Sequence, residues 1–332
     1  MSRKSPVMNV AISVVVSTHN RPVSLARTVR SILSQSYKPF ELIIVNDGET
    51  EVPADLSVLI EDADIRYVHR RLDRASLPAS RNAGAEVANG DVILFLDDDI
   101  ELASDFLQRL AEMYQADLPA ASDEGGSGYQ VDGIGAIGMD VGLVPSGPIR
   151  KKIWDFLMFM VGHTRWMPRK CLAAYRLLPL SLRGRLRPAR FIIGGRLSLR
   201  RHVIEAIKFN EDFAGYAVAE DRDFSYRATQ KFALFVAPEL KLIHHCELQA
   251  KPDWYSWGEM MVINHFRVVR DALEEGVGKW MLLAWDLMGL IMVHLVYSLF
   301  GNRELHWNMA RGLIGGIYRV FCQEVISRRC AY

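Results

Sequence analysis

The sequence predicts an α/β protein with a mostly parallel central sheet over residues 1–246, followed by a helical, membrane-associated region over residues 247–332. Three observations carry that expectation. Strand-like and helix-like stretches alternate through the first hundred residues at the spacing of βαβ units. The strand-like stretches end on polar residues, Thr18 to Arg21, Asp47 and Asp97 to Asp99, where open parallel sheets bind their ligands. The third is Trp280–Phe300, a mostly apolar run of 21 residues, about the length that crosses a bilayer.

Taken in order, VAISVVVS (Val10–Ser17) is a near-continuous β-branched run, as expected of a strand buried on both faces. The polar turn THNRP follows, then a helical pattern through Leu25, Val29, Ile32 and Leu33. FELIIVNDG gives a second buried strand and IRYVHR a short third. ASRNAGAEVA reads as a helix, and NGDVILFLDDD as a turn, a strand and an acidic strand end. Residues 117–150 are rich in Gly, Pro, Ser and Asp and read as a loop around a short strand, GIGAIGM. IWDFLMFMVG (153–162), flanked by basic residues, suits a helix in a membrane interface, with a core helix as the alternative. RFIIGGRLSLRR and FALFVAPELKLIHH return to sheet patterning. In the C-terminal run, Asp286 and His294 differ by about 80° around a helix, and Tyr297 lies near Asp286. Ionisable groups are costly in lipid, so this polar stripe favours a half-embedded or packed membrane helix over a lone span.

With 332 residues, 50% of them hydrophobic and 24% charged, the chain can bury a sizeable core and is not a disordered one. Its four cysteines show no metal-like or disulfide-framework spacing, so a reducing compartment is expected. The N-terminus has no long apolar stretch ending at a small-residue cleavage site, and a secretory signal is not expected. The net charge of +1 hides an asymmetry. Residues 150–201 hold 14 Lys or Arg against the single acid Asp155, which leaves the rest of the chain at −12. Interleaved with aromatics, such a block suits an anionic membrane surface or an anionic substrate; a solvated basic face is the bland alternative, and nucleic acid is not the expected partner.

Three adjacent aspartates at a strand end repel one another, and a hard divalent cation is their natural partner. AVAEDRDFSYRA places Glu220, Asp221 and Asp223 at a helix start, where acids cap the dipole or one of them serves as a general base. His244 and His245 close a strand, and either imidazole is a plausible extra ligand once an aspartate site is in view.

VVVSTHNRPVSLARTVRSILSQSY, ELIIVNDG, ASRNAGAEVANGDVILFLDDD, GGRLSLRR and AEDRDFSYR, in this order and spacing, resemble the family 2 glycosyltransferases of the GT-A (Rossmann-like) fold, in their membrane-associated bacterial type. The resemblance covers roughly residues 10–246. It implies an inverting transferase that uses a nucleotide sugar of UDP, dTDP or GDP type and Mn2+ or Mg2+, with a lipid-linked or glycan acceptor such as a cell-envelope polysaccharide. Carried over by position, Thr18, Asn20 and Arg21 would line the nucleotide pocket, Asp47 would accept a hydrogen bond from the base, and Arg81 would contact base or diphosphate. Asp97 and Asp98 would hold ribose and sugar hydroxyls, while Asp99 binds the metal with His244, or else His245. Gly194, Gly195 and Arg196 would face the acceptor, and Asp221 would be the catalytic base with Glu220 beside it. Two positions depart from the family pattern: Asn46–Asp47 replaces a pair of acids, and Arg196 stands where Asn is frequent.

The chemistry needs a carboxylate to take the acceptor proton and a cation to stabilise the departing diphosphate. A nucleotidyltransferase reading is disfavoured because THNRPVSL lacks a glycine-rich phosphate loop. A non-catalytic sugar-binding scaffold would have no use for a base. Nucleotide sugars place the working domain at the cytoplasmic face of the membrane.

Overall fold

Consecutive β-branched and leucine residues make strands that must be covered on both sides, and the architecture follows from that need. The computed structural model describes residues 10–38, 40–62, 66–72, 75–115, 131–140, 169–178, 180–213, 217–246, 253–271 and 277–329. These fall into two units: a sheet unit, and a second unit made of residues 217–223 and the helices after residue 252. IWDFLMFMVG, expected as an interfacial helix, lies outside the described residues.

In the sheet unit, β1 (Ile12–Thr18), β2 (Phe40–Asn46), β3 (Tyr67–Arg71) and β4 (Val92–Asp97) pair in parallel in the order β3-β2-β1-β4. Every residue of β1 and β2 is buried, as their unbroken apolar runs require. The period of two sorts their side chains between two cores. Val14, Val16, Leu42, Ile44, Leu94 and Leu96 share one core with α1 (Pro22–Leu33) and α4 (Phe106–Gln115). Val15, Ile43, Val45, Ile93 and Phe95 belong to the other, with α3 (Leu77–Val87), α7 (Arg201–Ala206) and α8 (Glu220–Thr229). α2 (Ala54–Glu61), α5 (Arg169–Leu177) and α6 (Leu180–Arg183) add Leu56, Ile60, Ala174 and Leu182 to the first core.

Beyond β4 the sheet changes character. β8 (Arg196–Arg200) runs antiparallel to β4, and β6 (Gly133–Asp140) and β9 (Leu234–His244) follow it. Only RLSLR of the RFIIGGRLSLRR stretch is strand; Gly194 and Gly195 form the turn before it. β9 continues past Pro238 because the ladder with β6 jumps there, from Ala136↔Ala237 to Ile137↔Lys241, so the proline owes the ladder no N–H. Short β7 (Arg187–Pro188) and β5 (Ile100–Leu102) pair with β9. The β5 pairing has a consequence for the site: Ile100 faces His244 across it.

In the second unit, α9 (Trp254–Asp271), α10 (Val277–Phe300) and α11 (Arg303–Arg329) are helices. Glycines let α9 and α11 touch backbone to backbone. A methyl group at Gly258 would sit 2.6 Å from the Met309 carbonyl oxygen, and one at Gly312 would sit 2.1 Å from that of Tyr255. Gly312 and Gly316 are four residues apart, one turn of the same face. The polar stripe of α10 faces α11: Nδ1 of His294 lies 3.0 Å from Nδ1 of His306, and the Tyr297 ring lies 5.4 Å from the His306 ring. Leu287 and Val293 are buried as well, but another face of α10 is open. Gly278–Leu299 is long and apolar enough to cross a membrane, yet only 28% of its most apolar window is buried, against what a core helix would show. Met281, Trp285, Met288 and Leu299 are exposed, and a cleft of about 570 Å³ lined only by apolar side chains opens beside them.

Candidate active site

Asp97 ends β4, and the next two residues turn out of the sheet. In that turn the Asp98 carboxylate is taken up by Thr18 and Arg21, and Asp97 and Asp99 are the pair left beside His244. The structure brings one ligand atom each from Asp97, Asp99 and His244 within 4.8 Å of one another. His244 reaches this group because β5 pairs with β9, and its Nε2 lies 3.2 Å from Asp99 Oδ1. The next residue's N–H donates to the Asp99 carbonyl at 3.0 Å, pinning the two chain segments together. His245 itself points to Glu101, 3.0 Å from its carboxylate. Two carboxylates and an imidazole are a donor set suited to Mn2+ or Mg2+, so the residues present fit a divalent cation.

Asp98 is 4% exposed and its carboxylate is already engaged. It accepts from the Thr18 hydroxyl at 2.8 Å and from the Arg21 guanidinium at 3.0 Å. Burial pushes its carboxyl up to about 7, against the pull of Arg21 and Thr18, while Asp99 and Asp97 push the same way as burial. Arg21 also lies 3.5 Å from Asp99.

Arg81 is 2% exposed and donates to Asp97 at 3.1 Å. Its guanidinium sits 5.3 Å from the centre of the Phe209 ring, which stacks on Phe224 at 4.4 Å. Gly194 and Gly195 make this possible. A methyl group at Gly194 would lie 2.5 Å from an Arg81 nitrogen, and one at Gly195 would lie 2.0 Å from Asp97 Oδ2. Arg196, the next residue, is buried at the start of β8. Sequence reasoning placed both glycines at the site but gave no role to Phe209, which sits in a stretch with no periodicity to read.

Asp47 follows β2 and accepts from the Ser76 N–H at 2.8 Å and the Ser80 hydroxyl at 3.1 Å, with His19 Nδ1 2.9 Å away. Asn20 has a φ of 54°, which asparagine tolerates better than most residues. Its side-chain oxygen accepts from the N–H groups of Glu49 and Thr50 at 2.8 and 3.0 Å, tying the turn after β1 to the turn after β2.

Glu220 and Asp221 belong to the second unit. The chain enters α8 through Ala217 and Ala219, whose φ values of 49° and 73° are strained for residues with a Cβ. Asn264 holds this turn by donating to the Val218 carbonyl at 2.8 Å. Glu220 is buried and Asp221 partly exposed; Asp221 Oδ1 accepts from the Arg222 N–H at 2.8 Å, and Arg222 reaches His265 at 2.9 Å. Asp223 is 2% exposed in the first turn, where the helix dipole favours acids.

Residues 13–172 match the family described as Glycosyl transferase family 2. The chain carries a family 2 glycosyltransferase domain. Among its relatives, a glucosyl-dolichyl phosphate glucuronosyltransferase of Haloferax volcanii is 36% identical over 106 residues, 31% of this chain and 34% of the relative. The glycosyltransferase GlyA of Streptococcus pneumoniae is 31% identical over 110 residues, 32% of this chain and 16% of the relative. The chain thus spans about a third and a sixth of those two proteins. Among solved structures, a mannosyltransferase of Pyrobaculum calidifontis in complex with GDP-Man and Mn2+ has a TM-score of 0.57 at 12% identity, over 95% of this chain and 89% of that one. Residues 1–349 of S. aureus TarS in complex with UDP-GlcNAc have a TM-score of 0.55 at 16% identity, over 91% and 79%. The transferase domain therefore has the GT-A fold.

Proposed function

We propose that this chain is an inverting glycosyltransferase that moves a sugar from a nucleotide-sugar donor to a hydroxyl of a lipid-linked or glycan acceptor, working on the cytoplasmic face of a membrane. The observation that carries the reading is the gathering of Asp97, Asp99 and His244 at the carboxyl edge of the parallel strands. Asp97, Asp99 and His244 would hold Mn2+ or Mg2+, which adds Asp97 to the expected pair. When bound, such a cation supplies charge stabilisation for the departing diphosphate. Arg81 and Arg21 hold the carboxylates in place and offset part of their mutual repulsion. Asp221 takes the proton of the acceptor hydroxyl, with Glu220 beside it; attack by that oxygen from the face opposite the leaving group inverts the anomeric carbon.

Relatives and neighbours support the donor class through the names they carry: UDP-GlcNAc and GDP-Man are bound by two of the structures, and dolichyl phosphate is the carrier in the Haloferax protein. The open apolar face of α10 and the wholly apolar cleft beside it are the chemistry that a bilayer and a lipid tail require. The basic block 150–201 adds attraction to anionic headgroups. The test is a hydrolysis screen of the full chain in detergent over UDP-, dTDP- and GDP-sugars with Mn2+ or Mg2+. Cation-dependent release of one nucleoside diphosphate, lost in Asp99→Ala, is expected. Release from no donor under any cation, with the protein folded, refutes the reading.

A further inference from the structure

An imidazole is a metal ligand only when the nitrogen facing the cation is unprotonated, so the other nitrogen must carry the proton and needs somewhere to place it. Nε2 of His244 faces Asp99 at 3.2 Å. Its Nδ1 lies 3.3 Å from the sulfur of Cys246, two residues on. Cys246 is 6% exposed and has a φ of 50°, a conformation in which a residue with a Cβ is strained. With that backbone the thiol lies against the ring two residues earlier.

We propose that Cys246 is a positioning residue for the metal site. A thiol both donates and accepts, weakly. Without a cation, Nε2 of His244 carries the proton facing Asp99 and the thiol donates to Nδ1. With Nε2 turned over to a cation, the proton resides on Nδ1 and the Cys246 sulfur accepts from it. One side chain thus holds the ring in both tautomers, where a carbonyl would hold only the second. The inference rests on the proposed Asp97–Asp99–His244 site.

The experiment measures binding of Mn2+ alone to the full chain by electron paramagnetic resonance, in the native protein and in Cys246→Gly, Cys246→Ser and Asp99→Ala. Glycine removes the thiol and adopts the left-handed backbone without cost, so weaker binding in that variant does not come from added strain. The lost partner is expected to weaken Mn2+ binding about tenfold in Cys246→Gly, at the low end for such partners because sulfur is a weak acceptor. Serine, which also donates and accepts, is expected to stay within about threefold of native. Native affinity in Cys246→Gly, or equal losses in Gly and Ser, overturns the proposal. Equal Mn2+ affinity in native protein and Asp99→Ala removes the metal site itself, and the role of Cys246 with it. Should Cys246→Gly fail to fold, 15N-histidine spectra of the native chain and Cys246→Ser at saturating Mg2+ decide. An Nδ1 resonance of His244 that moves when oxygen replaces sulfur supports the proposal, and an unmoved one overturns it.

Discussion

Replacing Gly195 by alanine puts a methyl carbon 2.0 Å from Asp97 Oδ2 and 2.3 Å from its Cγ. An ordinary contact begins near 3.4 Å, so the carboxylate would have to retreat by about 1.4 Å. The backbone at Gly195 cannot make that room, because its carbonyl accepts from the Asp97 N–H at 3.3 Å and Arg196 begins the β8 ladder with Leu96. Metal–ligand distances tolerate only about 0.2 Å, so a displaced Asp97 leaves the ligand group. Loss of one charged partner is worth about 1.5–3 kcal/mol, or roughly 10- to 100-fold in cation affinity. Isothermal titration of Mn2+ into native protein, Gly195→Ala and Gly184→Ala checks it. A methyl group at Gly184 meets nothing within 4 Å, so that variant is the control for alanine substitution as such. Native affinity in Gly195→Ala would falsify both the crowding argument and the place of Asp97 among the ligands.

Asp221→Asn keeps size and hydrogen bonding but takes no proton; turnover is expected to fall roughly 10²–10⁴-fold with donor affinity little changed, and survival of turnover there with its loss in Glu220→Gln moves the base to Glu220. Burial alone raises the Glu41 carboxyl, but donation from the Asn89 N–H, the Ser13 hydroxyl and Arg66 outweighs it and brings the group below its ordinary 4.5. The stability this supplies is fully present above 4.5 and is lost as pH falls through the lowered value, so acid unfolding of Glu41→Gln should be less steep than native; parallel curves would exclude Glu41 as a source of acid lability. Gly312→Ala drives a methyl group to 2.1 Å from the Tyr255 carbonyl oxygen, and denaturant unfolding in detergent should show a loss of about 1–3 kcal/mol, with no loss refuting the close α9–α11 contact.

The sheet was legible because its strands announce themselves: VAISVVVS and FELIIVN can only be buried on both faces, and they are. β6 in GIGAIGM was legible as a short strand although three of its eight residues are glycine. Pairing across long sequence distance was not. That Ile100 lies opposite His244 follows from the pairing of β5 with β9, which no local pattern encodes. The choice of His244 over His245 hangs on that pairing. The resemblance pairs Asp98 with Asp97, and the structure adds that the Asp98 carboxylate bonds Thr18 and Arg21, contacts that no local pattern encodes. Gly312 and Gly316 went unread because the apolar run before them dominates the C-terminal signal, and their role appears only once α9 lies against α11.

Charge shows why the three aspartates are not interchangeable. Arg81 engages Asp97, and Arg21 reaches both Asp98 and Asp99, so two guanidiniums face three carboxylates. Asp98, turned inward and pushed up to about 7 by burial, sits where a proton can occupy it near neutrality. Its partners are the last residue of β1 and the residue before α1, so it fixes the strand-to-helix turn that presents Arg21. Thr28 on α1 adds a hydrogen bond of 2.7 Å to the Asp98 carbonyl, closing the same turn from the other side. Asp98 therefore holds the scaffold, while Asp97 and Asp99 are the two carboxylates gathered with His244. What remains at the shared ligand group is two carboxylates and an imidazole, a donor set that could hold a divalent cation.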